Sequence, residues 1–378
     1  MSERRGQAGR PPAAEERSLP ASLGYRMPAE WEPHEATWLA WPHEREDWPA
    51  KFEPIPWVFG EVVRALAPGE RVRILVDDAA HEEGARTLLA RVAVDPSRVD
   101  FVRVRTDRVW TRDSCPLFVR DAAGTVAMTN WKFNGWAKYP NHLKDDAIND
   151  QLAPLLGMKQ WKPCAGEGTG EGAGARRLVL EGGSIDVNGA GTLLTTEECL
   201  LSPIQARNPG MTREELERAL CDYLGVRKIL WLGEGIAGDD THGHVDDLAR
   251  FTDARTVAIA SEPDPGDENH ARLAEDRARL ARMTDQDGRP LRVVELPMPA
   301  PVVFDGVRLP ASYANFYVGN AAVIVPTFND PNDRVALSIL GELFAGRRVV
   351  GIHALDLVWG LGTLHCMTQQ QPAGSPRR

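Results

Sequence analysis

The sequence predicts a mixed α/β protein folded as one domain. Short apolar runs with the alternation of strands, such as Val72-Arg-Ile-Leu-Val76, recur between longer segments that carry helix capping signals and helical apolar spacing. Strands that alternate with helices are typical of α/β architectures. Because no linker-like stretch divides the middle of the 378 residues, one domain is favoured over two.

The individual elements follow from the same signals. Thr212-Arg-Glu-Glu215 has the pattern of a capping box, and the helix it opens is closed by Gly225, the residue most common just after a helix. We expect further helices over 269–283 and 334–344. Strands are predicted at these apolar runs: 72–76, 101–104, 257–260, 321–325 and 349–352.

Both ends of the chain and one internal segment have compositions typical of unstructured polypeptide. Residues 1–24 are rich in Arg, Glu, Ala and Pro without periodicity, which predicts a disordered tail. We expect the domain to span 25–372 and a short C-terminal tail to follow over 373–378. The segment 165–175 formally matches a dinucleotide-binding fingerprint. Since no strand precedes it and no helix follows it, we interpret it as a loop.

Composition and charge argue against several classes of protein. The formal net charge is −10, which disfavours nucleic-acid binding and favours small cationic partners. The five cysteines include no Cys-x-x-Cys pair, so neither a disulfide framework nor a zinc knuckle is expected. No run approaches the roughly 18 apolar residues of a membrane-spanning helix, and the N-terminus lacks the apolar core of a signal peptide. We therefore expect a cytoplasmic protein.

Two acidic residues follow apolar runs at positions suited to a ligand site. Asp113 lies in Trp110-Thr-Arg-Asp113, shortly after the predicted strand at 101–104; capping a turn or pairing with Arg112 at the surface are the alternatives. Glu181 follows Leu178-Val-Leu and precedes two glycines, which let a ligand or another backbone approach closely. A bulge at the end of a strand is the alternative there.

A third cluster lies between Gly238 and Asp247 and contains two histidines. One interpretation is a zinc or manganese site, although His242 and His244 are spaced i, i+2 rather than the i, i+4 of a helical zinc site. The second interpretation is that His244 is a general acid/base that shares a strand face with Asp246. A solvated acidic loop is the third.

The last cluster is the segment Gly360-Leu-Gly-Thr-Leu-His-Cys366 near the C-terminus. A lone cysteine often serves as a small buried apolar residue, but a thiol presented after a glycine turn can also be a nucleophile. A thiol, a histidine and several carboxylates together suit a planar cationic electrophile such as a guanidinium, whose N–H groups pair with carboxylates. A cysteine protease would instead need an oxyanion hole, and it gains nothing from carboxylates around its thiol.

Segments spread along nearly the whole chain share their residues and order with one known family. They begin at Met27-Pro-Ala-Glu-Trp and end at Gln371-Pro372. The motifs between them are Trp110-Thr-Arg-Asp113, Phe133-Asn-Gly-Trp136, Leu180-Glu-Gly-Gly-Ser184, Leu194-Thr-Thr-Glu-Glu-Cys-Leu200, Gly243-His-Val-Asp246, Ser312-Tyr-Ala-Asn-Phe-Tyr317 and Leu364-His-Cys-Met-Thr-Gln369. In these motifs the chain resembles the agmatine deiminases and the related bacterial-type peptidylarginine deiminases of the guanidine-modifying (pentein) superfamily.

The resemblance implies a fold and a set of site residues. The fold is the pentein α/β propeller, in which five ββαβ-type units surround a pseudo-fivefold axis and the site lies in the central channel. Cys366 would be the nucleophile and His244 the general acid/base. Asp113 and Asp246 would hold the guanidinium, supported by Glu181. The remaining substrate-binding residues implied are Trp136, at a channel position, and Asp240.

The implied reaction is deimination of a small cationic guanidino substrate. Agmatine and water would give N-carbamoylputrescine and ammonia through a thiouronium intermediate covalently bound to Cys366. The resemblance implies no metal and no organic cofactor. It also implies no nucleic-acid or membrane partner, and it is compatible with a homo-oligomer.

The chain departs from the agmatine deiminase pattern at four positions beside the site and also in Phe133-Asn-Gly-Trp-Ala-Lys-Tyr139, which lacks the usual second Gly-Gly after Trp136. Leu361 and Thr363 stand where the family has a glycine and an asparagine, and Asp240 and His242 stand where it has a glutamate and an asparagine. These departures concern the end of the site that binds the rest of the substrate, so its identity stays open.

Three alternatives to agmatine follow within the same chemistry: arginine, peptidyl arginine or another guanidino compound. A substrate with a carboxylate would need a cation in the site, for which Lys138 or Lys144 could serve. A metal-dependent hydrolase that uses His242, His244 and Asp246 is a less favoured alternative.

Overall fold

The computed structural model describes residues 18–165 and 176–377. Its strands are β1 (His34–Ala40), β2 (Arg71–Val76), β3 (Val99–Arg103), β4 (Leu117–Arg120), β5 (Thr125–Thr129), β6 (Gln160–Trp161), β7 (Cys164–Ala165), β8 (Arg176–Arg177), β9 (Asp186–Val187), β10 (Thr192–Thr196), β11 (Lys228–Leu232), β12 (Ala249–Phe251), β13 (Thr256–Ser261), β14 (Arg292–Pro297), β15 (Val303–Phe304), β16 (Val307–Arg308), β17 (Tyr317–Val318), β18 (Ala322–Thr327), β19 (Arg348–His353), β20 (Gln369–Pro372) and β21 (Ser375–Pro376). Its α-helices are α1 (Ile55–Leu66), α2 (Ala79–Arg91), α3 (Thr111–Ser114), α4 (Leu143–Asp146), α5 (Ile148–Leu156), α6 (Glu197–Leu201), α7 (Arg213–Leu224), α8 (Glu268–Leu280) and α9 (Asn332–Leu343). Within these residues, none of the helices combines the length and the apolar character needed to span a bilayer.

One pairing pattern occurs five times along the chain. In each unit the first strand pairs antiparallel with the second, and the second pairs parallel with the third after a helical crossover. The strands of units 2 to 5 are β4-β5-β6, β9-β10-β11, β12-β13-β14 and β17-β18-β19. Unit 1 consists of β20, β1 and β2, with β3 added at its edge. Five ββαβ units are what the family resemblance implies.

Unit 1 joins the two ends of the chain. Its first strand, β20, comes from the C-terminal region and pairs antiparallel with β1. The contact is reinforced by side chains, because the indole of Trp38 donates a hydrogen bond of 3.0 Å to Oε1 of Gln371. The segment that enters β20 therefore lies beside an N-terminal strand from which it is more than 300 residues away along the chain, since Trp38 and Gln371 are 333 residues apart.

The longer elements lie where the sequence predicts them. The capping box formed by Thr212 and Glu215 opens α7, and Gly225 closes it with a φ of 65°. The predicted helices over 269–283 and 334–344 correspond to α8 and α9, and the predicted apolar strands correspond to β2, β3, β13, β18 and β19.

The ends of the chain require a correction. The residues 18–24, which the sequence assigns to a disordered tail, include a 3₁₀ turn at Ala21–Leu23 that lies against α7. At the other end, β21 pairs with β5 beyond residue 372. Composition could not reveal these short segments because pairing with distant parts of the chain holds them in place. Residues 1–17 and most of the predicted loop at 165–175 lie outside the described residues, and a single catalytic domain remains a prediction.

A buried carboxylate joins four of the five units. Glu30, which is 5% exposed, accepts hydrogen bonds from Arg112 beside β4 at 3.0 Å and from the backbone N–H of Val318 in β17 at 2.8 Å. Its oxygens also lie 2.9 Å from Nη2 of Arg250 in β12 and 2.8 Å from Nε2 of His365 beside β20. Burial opposes ionisation, but Arg250, His365 and Arg112 hold the pKa of Glu30 well below its ordinary value.

We expect Glu30→Gln to lower the free energy of unfolding by about 3–5 kcal/mol, because it removes the counter-charge of the buried Arg112 and leaves Arg250 with Asp186 alone. The matched control is Glu61→Gln, which removes an exposed carboxylate paired with Arg64 and should cost no more than about 1 kcal/mol. Urea denaturation of both variants measures the difference. Equal losses for the two variants would contradict the role assigned to Glu30.

Candidate active site

The segments that enter the first strands of the five units converge on one site. Asp113 in α3 precedes β4, Glu181 precedes β9, and His244 and Asp246 precede β12. The corresponding segments of the other two units contribute Asn315 before β17 and Cys366 before β20. Each first strand therefore delivers a polar side chain from an equivalent position, as expected for units arranged around a common channel.

Asp113 is buried and oriented by two donors. The indole N–H of Trp136 donates to its Oδ2 at 2.9 Å, and the backbone N–H of Gly183 donates to its Oδ1 at 3.0 Å. Burial raises the pKa of Asp113 to about 6; Asp246 and Glu181 add to this shift while His244 opposes it. The surface pair with Arg112 considered from the sequence is wrong, because the Arg112 guanidinium turns away to Glu30.

His244 lies among three carboxylates. Its Nδ1 is 3.9 Å from Oδ1 of both Asp113 and Asp246, and its Nε2 is 3.8 Å from Oε2 of Glu181. Burial disfavours the imidazolium, but Asp113 first, and then Cys199 and Glu181, raise the pKa of His244 well above its ordinary value. The ring is thus held as a cation that can donate a proton.

Gly183 allows this close approach. A Cβ atom at this position would lie 2.6 Å from Nδ1 of His244, 2.9 Å from Oδ1 of Asp113 and 3.1 Å from Oδ2 of Asp246. Any other residue would therefore separate the three side chains. This explains physically why position 183 is a glycine.

Glu181 keeps its charge although it is fully buried. Burial would raise its pKa, but Arg207, whose Nε donates to Oε1 at 3.0 Å, and His244 together lower the pKa to about 2. Arg207 was not found from the sequence, since nothing in its local pattern distinguishes it from a surface arginine. Its guanidinium anchors the carboxylate that faces the far side of the His244 ring.

Asp246 and Cys366 are neighbours in the site. Sγ of Cys366 lies 3.8 Å from Oδ2 of Asp246, and the same oxygen is 2.7 Å from Nδ1 of His365. The side chains of His244 and Asp246 do meet, but not on a strand as expected. A 3₁₀ turn at Val245–Asp247 places them before β12 begins.

Burial and charge both disfavour a thiolate at Cys366. Burial raises the pKa of the thiol well above its ordinary value, and the carboxylates Asp246, Asp247 and Asp113 raise it further. A cation that entered among these carboxylates would reverse the second contribution.

Asn315 fixes the position of the thiol, a role that the sequence did not indicate. Its amide nitrogen lies 3.1 Å from Sγ of Cys366, and its Oδ1 accepts from the backbone N–H of His365 at 2.9 Å and from the hydroxyl of Thr363 at 2.6 Å. The motif that contains Asn315 was visible. Its function was not, because 51 residues separate the two side chains.

A cavity of about 160 Å³ leads to Cys366 and Asp113. Aromatic side chains form part of its wall, including the predicted Trp136. Trp136 and Ala137 have positive φ values of 56° and 55°, which turn the segment 136–139 around the cavity. The predicted Asp240 also lines the cavity, where its carboxylate accepts from the Tyr139 hydroxyl at 2.7 Å and pairs with Lys138.

Comparison with known proteins places the chain among the deiminases. Residues 26–372 match the model of the Porphyromonas-type peptidyl-arginine deiminases. The chain belongs to this family. An agmatine deiminase of Ectopseudomonas mendocina is 35% identical over 379 residues, which cover 94% of this chain and 98% of that protein. An agmatine deiminase of Stutzerimonas stutzeri is 36% identical with the same coverage.

A solved structure agrees with this assignment. The structure of the agmatine deiminase of Enterococcus faecalis matches with a TM-score of 0.85 and 33% identity, covering 94% of this chain and 98% of that one. The family resemblance and the pentein fold class predicted from the sequence are thereby confirmed.

Of the three residues considered for a metal site, His242 lies apart from His244 and Asp246. His242 lines a separate cavity, where Nε2 lies 3.0 Å from the hydroxyl of Ser202. Among the described residues, two buried donor sets are close enough to share one ion: Glu181–Cys199–His244 and Asp246–Asp247–Cys366. Neither includes His242, so the hydrolase that combines His242, His244 and Asp246 has no geometric basis.

The lysines considered for a carboxylate tail are also placed. Lys138 pairs with Asp240 at the side of the cavity, and Lys144 lies 3.3 Å from Asp107 with half of its side chain exposed. Among the described residues, the cation that lines the cavity is Arg108, which is itself paired with Asp47.

The two departures beside the nucleophile have different consequences. Thr363 is fully buried and hydrogen-bonds Asn315, so it positions the Cys366 loop. Leu361 lines the cavity and has a φ of 66°, the left-handed conformation that favours glycine. Leu361 thus narrows the cavity at the cost of backbone strain.

We expect Leu361→Gly to be more stable than Leu361→Ala by about 1 kcal/mol in unfolding free energy. Both variants lose the packing of the leucine side chain beyond its Cβ, but only the alanine variant keeps a Cβ at a residue in the left-handed conformation. At an ordinary helical or extended position the order would be the reverse. Parallel urea titrations measure the difference in unfolding free energy between the two variants. A more stable alanine variant would show that the backbone at position 361 is unstrained.

Proposed function

We propose that this protein is an agmatine deiminase that hydrolyses the guanidinium group through a covalent Cys366 intermediate. The observation that carries the proposal is a thiol set among buried carboxylates at the end of an acidic cavity. A guanidinium offers five N–H donors in one plane and a positive charge, which this arrangement matches. The names of the relatives favour agmatine as the substrate.

Asp113 and Asp246 hold the two sides of the guanidinium in this proposal. Both carboxylates approach His244 at 3.9 Å from the segments before β4 and β12, so they can bracket one small planar group. Because the pKa of Asp113 is about 6, it is ionised at neutral pH and free to accept N–H groups. Glu181 lies near Nε2 of His244 and stabilises the protonated form of its ring.

Substrate charge activates the nucleophile. A guanidinium between the carboxylates offsets the negative field that raises the pKa of Cys366, so the thiolate forms when substrate is bound. Sulfur then attacks the guanidinium carbon, and His244 donates a proton to the departing amino group, which leaves as ammonia. The product of this step is an S-alkyl thiouronium on Cys366.

His244 then acts as the base in hydrolysis. It takes a proton from a water molecule, whose oxygen adds to the thiouronium carbon. The carbon–sulfur bond breaks, releasing the ureido product and restoring the thiol. The carbon keeps its oxidation state in both steps, so none of these bond changes requires a redox cofactor.

The cavity favours a cationic tail over a carboxylate tail. Its wall includes the carboxylates of Glu46, Asp47 and Asp240 together with the cation Arg108, and this excess of negative charge attracts the ammonium of agmatine. Arg108 is paired with Asp47 and Lys138 with Asp240, so binding the carboxylate of arginine would require breaking an existing ion pair.

Ammonia release from a panel of guanidines tests the proposal. We expect kcat/KM for agmatine to exceed that for arginine by at least about tenfold, with arginine-containing peptides and methylated arginines weaker still. Cys366→Ala should lose at least about a thousandfold in kcat. Cys221→Ala, which removes a half-buried thiol on α7, is the control and should retain full activity.

Three results would contradict the proposal. If no guanidine released ammonia, deimination itself would be wrong. If arginine or peptidyl arginine were preferred, the reaction would stand but the assignment of the tail would be wrong. Retention of a metal-dependent activity by Cys366→Ala would instead indicate a hydrolase of another class.

The pH dependence should follow Asp113. It binds the guanidinium only when ionised, so kcat/KM should fall as the pH drops through about 6. Trp136→Phe removes the indole donor and should move this limb to higher pH by about one unit, since a hydrogen bond to a charged group contributes about 1.5–3 kcal/mol.

Trp110→Phe is the matched control for the pH experiment. Trp110 also lines the cavity, where its ring packs beside Gly362. The Trp110→Phe variant should have a slightly changed KM, while the acid limb of its kcat/KM profile stays at the same pH. If both variants moved the limb equally, the shift would arise from cavity shape rather than from the hydrogen bond to Asp113.

A further inference from the structure

His365 is a buried histidine that bridges two carboxylates. Its Nδ1 lies 2.7 Å from Oδ2 of Asp246 and its Nε2 lies 2.8 Å from Oε2 of Glu30. The residue is 1% exposed, and its backbone N–H is held by Asn315. It directly precedes Cys366, yet the reaction proposed above does not use it.

The geometry determines how the His365 ring is protonated. A neutral imidazole has one N–H donor and one acceptor, so one of its nitrogens would face a carboxylate oxygen with no proton between them. Glu30 is ionised independently of His365, because Arg250 and Arg112 pair with it. A carboxylate oxygen lies within hydrogen-bond distance of each ring nitrogen, an arrangement that two N–H donors satisfy and a single one does not.

The same bridge connects the site to the arginines of the protein interior. Glu30 is bonded by Arg112 and Arg250, and its position is fixed further by the N–H of Val318. The rigid side of the bridge is therefore Glu30. The other side, Asp246, has one oxygen shared between His365 and Sγ of Cys366 and has Oδ1 directed to His244.

We propose that His365 is a positioning residue that keeps Asp246 ionised and oriented for the substrate guanidinium by holding it, through a doubly protonated ring, to Glu30. This inference rests on the proposed deimination and extends it to a residue outside the reacting groups. Its consequence is that Asp246 stays ionised at pH values where Asp113 is already protonated, so the loss of guanidinium binding at low pH follows Asp113 alone.

The charges around Asp246 show why a second cation is needed. The anionic or acidic groups facing it are Asp113, Asp247 and the Cys366 thiol, and the cations are His244, His365 and, at longer range, Arg250. Closely spaced carboxylates in a buried site cannot all ionise unless cations compensate them. Since His244 gives up its proton during the reaction, His365 is the adjacent cation that remains.

Two isosteric variants test this role. The amide nitrogen of His365→Asn stands in for Nδ1 and can still donate to Asp246, whereas that of His365→Gln stands in for Nε2 and can still donate to Glu30. Both variants remove the positive charge. We expect both to raise KM for agmatine about tenfold or more, with kcat changing less. The ionisation of Asp246 should then add to that of Asp113, so that kcat/KM falls more steeply below about pH 6.

Differences between the variants separate charge from hydrogen bonding. If His365→Asn matched the wild-type pH profile while His365→Gln did not, hydrogen bonding alone would be sufficient and the charged bridge would be wrong. If both variants only lowered thermal stability, with KM and the acid limb unchanged per folded protein, His365 would be merely structural and the proposal would be overturned.

A spectroscopic test does not depend on activity. In protein labelled with ¹⁵N-histidine, long-range ¹H–¹⁵N spectra distinguish protonated from unprotonated ring nitrogens, and His365→Asn identifies the signal. We expect two protonated nitrogens on His365 at pH 7.5. A neutral tautomer there would overturn the inference even if agmatine is hydrolysed. A doubly protonated ring in a protein that hydrolyses no guanidine would place the failure in the proposed function.

Discussion

The structure depends on one buried carboxylate. Glu30 accepts from groups of four units, and its partners Arg112 and Arg250 are fully buried arginines that no single unit could accommodate alone. Buried charges are unfavourable unless fully paired, so these contacts are satisfied together or not at all. The network thereby specifies how the units are placed relative to one another. It also fixes the segment before β20, which carries the nucleophile.

The site continues this network with one cation missing. Three buried carboxylates around the site each have a cationic partner: Arg207 for Glu181, Arg250 for Glu30 and His365 for Asp246. Asp113 has only neutral donors and the more distant His244, and its raised pKa is the physical sign of that deficit. A guanidinium supplies the missing charge, so in the proposed reaction the substrate completes an ionic arrangement that the fold leaves incomplete.

Sequence patterns predicted the elements and residues whose signals are local. Helix α7 carries its own capping box, and β13 and β18 are apolar runs. His244 and Cys366 stood out because reactive side chains beside glycines are conspicuous. The two-residue strands β9 and β17 could not be predicted, since only their pairing with β10 and β18 defines them.

The supporting residues were missed for a related reason. Glu30, Asn315 and His365 lie within recognisable motifs, but their roles depend on contacts between segments far apart in the chain, up to 335 residues for Glu30 and His365. Similarly, the i, i+2 spacing of His244 and Asp246 suggested a strand, whereas a 3₁₀ turn brings both into the site. Local periodicity carries no information about such long-range partners.

The closure of unit 1 by β20 has a consequence for how activity depends on the fold. The nucleophile lies three residues before the strand that joins the C-terminal region to β1. The carboxylates and the base of the site are carried by other units. Catalytic competence therefore depends on this one strand pairing, because separating β20 from β1 would remove the thiol from a set of carboxylates and a base that are otherwise intact.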